Sequence, residues 1–291
     1  MELFEAPTLV PLGLAGGQGK TTVALITGRI LASYGIPVLF VDADPQASLT
    51  TFLGVEPSDN RPTLLEVITK SERKVPLYSA IHPVPKNEKL FVIPANDELE
   101  DANAYLAASG ISLNRLRERL YQVEEQVAPQ DKVACNFGVI IVDPPPERSH
   151  LALSSLGAGS AWVIPAEANV KGVESLKRTL ELIQTYQRRI PHGSLIGVMP
   201  FRAQWTGLNP TGTTRDSIEV MQALAGKENV LPHLLESNIY KRAINEQVLP
   251  RELGKPELEY PLLTIIERMK PLLGQYAKQI QATEGREVVL Q

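Results

Sequence analysis

At 291 residues with 43% hydrophobic side chains, the chain is long enough for one large domain or two and for a sizeable core. No apolar run approaches the roughly 20 residues that span a bilayer, and a lone cysteine, Cys135, excludes an intramolecular disulfide. A formal net charge of −4 argues against a chain coated for nucleic acid and leaves room only for a local basic patch.

The acidic opening, Met1-Glu2-Leu3-Phe4-Glu5, is unlike the basic start of a signal peptide, so a cytoplasmic chain is expected. Leu9 to Leu14 reads as a short strand, although Pro11 removes one ladder donor. It runs into Ala15-Gly16-Gly17-Gln18-Gly19-Lys20-Thr21-Thr22, a turn suited to nucleotide phosphates. Glycines let successive N–H groups turn inward on an anion, and the helix that follows adds its positive end. Lys20 supplies a point charge to the outer phosphates, and the Thr21 hydroxyl is the Mg²⁺ ligand of such loops. The strict pattern also requires a glycine five residues before Gly19, where this chain has Leu14.

Lys20 to Tyr34 reads as a helix stopped by Gly35. Val38 to Val41 is continuously apolar, as in a strand buried on both faces, and ends in Asp42-Ala43-Asp44-Pro45-Gln46. Further strands are expected at Leu90 to Ile93, Val139 to Val142, Trp162 to Ile164 and Leu195 to Met199, with helices at Leu113 to Val127 and Val173 to Arg189. Gln204 to Arg215, rich in turn residues, reads as a flexible loop, either a surface excursion or one that closes over a nucleotide base. The alternation predicts an α/β fold: a doubly wound, mainly parallel sheet with helices on both faces. A single domain over residues 1 to 291 is expected, with an extension from about 260.

Ligands of such sheets bind beyond the strands' carboxyl ends. The glycine turn, the pair Asp42 and Asp44, and Asp143 all follow predicted strands. Mg²⁺ favours hard oxygen ligands and retains waters, so Thr21 is assigned direct contact and Asp143 a coordinated water. Asp44, on the loop tip, is the candidate for orienting the hydrolytic water and belongs with the metal's surroundings. Asp42 is read as positioning that loop or the metal's water shell.

The glycine turn, Val41 to Ser48, Phe91 to Leu99 and Ile140 to Pro146 together resemble the ParA/MinD family of deviant Walker-box ATPases. The Asp-x-Asp-Pro-Gln run is the most specific part, and the resemblance covers about residues 8 to 260. It implies a P-loop fold that dimerises face to face around two ATP molecules and then binds nonspecific DNA or, in the MinD branch, a membrane. Gly285 to Gln291 is too short and too weakly amphipathic for a MinD-like anchor, so the expectation is DNA, a nucleoid location and no membrane. Candidate DNA phosphate contacts are Lys177, Arg178, Arg188, Arg189, Lys241 and Arg242. The resemblance also implies Pro200 as a wall of the adenine pocket, and an adaptor of the ParB/McdB type.

The family usually carries a signature lysine immediately before the paired glycines, where this chain has Ala15. Two polyanions joined across an interface need compensating charge, and the expected substitute is Lys171, with Arg148 and Arg202 as rivals. Loss of that lysine resembles the McdA branch, which spaces carboxysomes over the nucleoid and recruits a lysine distant from the P-loop. A plasmid or chromosome partition ATPase is the neighbouring expectation. From other classes, an ATP-dependent synthetase of the dethiobiotin-synthetase type and a nucleotide-binding module without turnover stay open.

Overall fold

The computed structural model describes residues 4–58, 60–123 and 132–289. In chain order the strands are β1 (Thr8–Pro11), β2 (Val38–Asp42), β3 (His82–Pro83), β4 (Leu90–Ile93), β5 (Val139–Asp143), β6 (Ala161–Glu167), β7 (Ser194–Phe201), β8 (Trp205–Thr206) and β9 (Asn209–Pro210). The helices are α1 (Lys20–Ser33), α2 (Ser48–Phe52), α3 (Leu64–Thr69), α4 (Asp101–Ser109), α5 (Arg115–Tyr121), α6 (His150–Ala158), α7 (Val170–Tyr186), α8 (Gly212–Ala225), α9 (Asn238–Glu246), α10 (Tyr260–Met269) and α11 (Gln275–Val289).

Seven strands form one sheet in the order β3-β4-β2-β5-β1-β6-β7, parallel throughout except for the two-residue edge strand β3. The alternation of apolar strands and helices dictated this arrangement, because parallel neighbours need crossovers and right-handed crossovers place helices on the two faces. Side-chain period two divides each strand between two cores. Leu9, Val38, Phe40, Val139, Ile141 and Val163 enter one apolar cluster with residues of α1, α9 and α10. Val10, Leu39, Val41, Ile140, Val142, Trp162 and Ile164 enter the other, with residues of α3 to α7. Each large apolar side chain fully buried in this way contributes roughly 1.5–3 kcal/mol, and α1 is buried along most of its length. Beyond residue 260, Leu262, Ile265, Ile266, Met269, Leu273 and Ile280 all belong to the first cluster.

Pro11 is the last residue of the central strand. The Leu12 N–H bonds the Val163 carbonyl at 2.8 Å, so the ladder to β6 continues past the proline. The expected helix at Leu113 to Val127 is helical at Arg115–Tyr121, and its end from residue 124 lies outside the described residues. The loop expected over Gln204 to Arg215 is a correction. Trp205–Thr206 pairs antiparallel with Asn209–Pro210 in a hairpin, and α8 begins at Gly212 under a Thr211 cap. Gly207 with φ 62 makes the hairpin turn, and Trp205 stacks on His233 with ring centroids 5.5 Å apart. Turn-rich composition signals a tight hairpin as readily as an open loop.

Candidate functional site

The carboxyl ends of β1, β2 and β5 converge at the point where the crossovers part to opposite sides of the sheet. The chain after β1 wraps into a loop that ends in Gly17 with φ 81 and Gly19 with φ 99, a backbone that side-chain-bearing residues rarely adopt. A Cβ on Gly19 would also lie 2.8 Å from the Phe201 ring. Gly19 stands at the N-cap of α1 without a side-chain acceptor, so the first-turn N–H groups are left to face the loop's interior. A cavity of about 250 Å³ opens there, lined by residues 16–22, Asp44, Ser48, Pro146, Phe201 and Arg202. A larger cavity of about 440 Å³, beside Arg61, Thr63 and Glu66, contains none of these groups.

The floor of the site is buried and charged. Lys20 is 7% exposed, with Nζ 3.4 Å from the Ala15 carbonyl oxygen. Desolvation lowers its pKa, opposed by the nearby charges of Asp143 and Asp44. Asp143 sits one strand away, fully enclosed, and its Oδ2 accepts the Thr21 hydroxyl at 2.6 Å. Burial first, and then the neighbouring Asp42, push the Asp143 pKa up to about 7, against the hydrogen bond from Thr21 and the charge of Lys20.

The floor offers few but suitable donors for Mg²⁺. Asp143 Oδ1 is buried with no hydrogen-bond partner, beside the one hydroxyl that typically ligates the ion. No cluster of three or more His, Cys, Asp or Glu side chains exists among the described residues. That donor set fits Mg²⁺, which keeps several waters and takes phosphate oxygens rather than an all-protein cage. Thr21 would hold the ion, and the unpartnered oxygen of Asp143 would hold one of its waters.

Asp42 and Asp44 divide their work by burial. Asp42 Oδ2 accepts the Thr50 N–H at 2.8 Å and its hydroxyl at 2.7 Å, and Oδ1 accepts the Asp44 N–H at 3.3 Å. Thr50 Oγ1 in turn accepts the Ala95 N–H, tying the ends of β2 and β4 to α2. Burial is the main cause that raises the Asp42 pKa to about 6. Asp44 instead lines the cavity, and its Oδ1 accepts the Gln46 N–H at 3.0 Å. The loop closes through Ala47, held at φ 51 in the left-handed region.

At the rim, Lys171 extends from the first turn of α7, and its Nζ lies 3.4 Å from the Gly16 carbonyl oxygen. Asn169 caps that helix by accepting the Gly172 N–H at 2.9 Å. The buried Gln18 Oε1 accepts the Glu167 N–H at 2.9 Å, fastening the glycine loop to the end of β6. Arg202 pairs with Glu167 at 2.6 Å.

A family model described as an AAA domain matches residues 12–192. The chain is 40% identical over 263 residues to the maintenance of carboxysome distribution protein A, McdA, of Synechococcus elongatus, covering 90% of this chain and 98% of that protein. It belongs to the McdA family of ParA/MinD ATPases. A solved complex of Cyanothece McdA with ATP superposes with a TM-score of 0.83 at 39% identity, covering 91% of this chain and 97% of that one. A probable plasmid-partitioning protein ParA of Thermus thermophilus is 30% identical over 230 residues, covering 75% of this chain and 62% of that protein.

Within this McdA-family chain, Gly16, Gly17, Gln18, Gly19, Lys20, Thr21, Thr22 and Asp44 meet at one cavity, with Asp143 bonded to Thr21 on its floor. Lys171 lies against the loop itself, while Arg148 lines a separate cavity with Arg178 and Glu181. Pro200 does not line this cavity; Phe201 and Arg202 of the same segment do. The six candidate DNA contacts are all exposed, but α7 packs on one face of the sheet and α9 on the other. Sequence reasoning placed Gln18 in the glycine turn but missed Glu167 and the contact between the two. Their only signal was a carboxylate and an amide at the ends of buried segments, which ordinary turn chemistry also produces.

Proposed function

We propose that this chain is an ATP-driven positioning switch of the McdA type: ATP pairs two copies face to face, the pair holds nonspecific DNA, and hydrolysis releases it. Its cargo is the carboxysome, engaged through a ParB/McdB-like adaptor, and it works in the cytoplasm over the nucleoid. The carrying observation is the place of Lys171. A freely exposed ammonium at the rim of the phosphate loop, 3.4 Å from Gly16, supports the role of a cation that reaches the partner's nucleotide where Ala15 has none.

The chain's own groups divide the chemistry. The loop N–H groups and Lys20 bind the phosphates. Thr21 and Asp143 hold Mg²⁺, which when bound neutralises charge on the outer phosphates. Asp44, with one oxygen engaged by Gln46, keeps the other for the attacking water and orients it in line. Asp42 fixes the loop on which Asp44 rides. For DNA, α7 and the turn after it offer Lys177, Arg178, Arg188 and Arg189, none in an ion pair among the described residues, whereas Arg242 on α9 is paired with Glu246 at 2.7 Å. Binding through such side chains weakens steeply with salt, by counterion release.

Sedimentation velocity with ATP and Mg²⁺ tests the pairing. Wild type is expected to form dimers and Lys171→Ala to stay monomeric, with nucleotide affinity within about threefold of wild type, since a rim cation seen by the partner contributes little to the monomer's own site. Unchanged dimerisation of Lys171→Ala would remove the residue from the role.

A further inference from the structure

Beside the phosphate loop stands an arginine that the switch described above does not use. Arg202 follows β7, lines the same cavity as residues 16–22, and has its backbone at φ 52, in the left-handed region that disfavours a residue with a Cβ. Held conformations of this kind persist where surrounding contacts enforce them, and they concentrate at ligand sites. Here the backbone is held on both sides, by Ala168 N–H on the Phe201 carbonyl at 2.8 Å and Ala203 N–H on the Leu234 carbonyl at 2.9 Å, and the side chain is held by Glu167. Its Oε1 accepts Arg202 Nη1 at 2.6 Å, with the carboxylate side chain 12% exposed and the arginine side chain 44% exposed.

Glu167 is itself fixed from two further directions. Its N–H is bonded by the fully buried Gln18 of the phosphate loop, and its Oε2 accepts the Asn169 Nδ2–H at 3.2 Å. A mostly buried carboxylate at the edge of a polyanion site opposes binding unless a cation offsets it. The guanidinium does so with one of its five donors and keeps the remaining planar donors free, an arrangement suited to a phosphate.

We infer that Arg202 is a nucleotide-binding side chain acting within its own subunit, and that Glu167 is the positioning residue that aims its guanidinium at the phosphate chain. This rests on the cavity being the nucleotide site. It differs from the role of Lys171, because Arg202 binds before any partner arrives and does not need one.

Isothermal titration of the full chain with Mg²⁺ and either the non-hydrolysable analogue AMPPNP or ADP tests both residues. Arg202→Ala is expected to weaken binding tenfold or more, and Arg202→Lys to restore little of it, since a point charge cannot replace a planar fork. A loss confined to AMPPNP would place the guanidinium at the outermost phosphate, and a loss for both nucleotides at the inner two; either supports the assignment. Glu167→Gln preserves shape and is expected to weaken binding three- to tenfold. Combined with Arg202→Ala it should add nothing further, a non-additivity that a merely structural role would not produce. Arg202→Ala with wild-type affinity for both nucleotides would overturn the assignment. Wild type that binds neither nucleotide would instead overturn the nucleotide reading of the cavity.

Discussion

The floor and the rim of this cavity are built differently. On the floor, Lys20, Asp42 and Asp143 are buried to within a few per cent, carry shifted proton affinities and are locked by Thr21 and Thr50. At the rim, Lys171 and Arg202 are exposed, each with one hydrogen bond to a neighbour that touches the glycine loop or belongs to it, and Arg202 also lies over the Phe201 ring. The floor is therefore rigid, as the proposed binding of phosphate and Mg²⁺ requires, while the rim is free to respond to a bound nucleotide and a docked partner, as the proposed switch requires. Charges held in low dielectric act strongly at short range, and exposed ones act where two surfaces exclude water.

The sharpest way to break this contrast is at the floor. Lys20→Ala is expected to lower nucleotide affinity by about 100-fold, the value of a lost charge-assisted contact in a dry site, measured by the same titration. Asp44→Ala comes next: binding should survive while hydrolysis falls by at least tenfold, so that the ATP-bound dimer accumulates in sedimentation and phosphate release slows. An Asp44→Ala protein that turns over like wild type would return the attacking water to another group.

The remaining prediction concerns pH and leaves nucleotide binding aside. Unfolded Asp side chains titrate near 3.8, whereas the folded chain holds Asp42 near 6 and Asp143 near 7. Between about 4 and 7 the native state therefore binds more protons than the unfolded state. The stability these groups provide is full below about 4 and is lost as pH rises to about 7. In urea titrations without nucleotide, Asp143→Asn should lose less stability than wild type between pH 5 and 7.5. An equal loss in both would show that Asp143 titrates normally.

Most of the floor was legible in the chain because its chemistry depends on local runs. Gly16 to Thr22 is one contiguous turn, and Asp42, Asp44 and Asp143 each end or follow an apolar strand whose place in a parallel sheet follows from alternation. Lys171 was singled out by its position after β6, and its Nζ lies beside Gly16; its role is the proposal above. The Glu167–Arg202 pair was not, since it joins residues 35 apart through two adjacent strand ends, and no local pattern specifies which carboxylate meets which guanidinium. The β8–β9 hairpin was missed for a similar reason: two-residue strands carry almost no period, and Gly207 with Asn209-Pro210 signals a turn without signalling its type. The edge strand β3 was too short to read and contains Pro83, which an edge tolerates.

The central claim is that triphosphate joins two copies with a lysine from outside the glycine turn between them. A crystal structure of the Asp44→Ala protein with ATP and Mg²⁺ tests it most directly. The account predicts two subunits facing each other across two nucleotides, with each Lys171 at the other subunit's phosphates. A single subunit, or a pair whose nucleotides face apart, would contradict it.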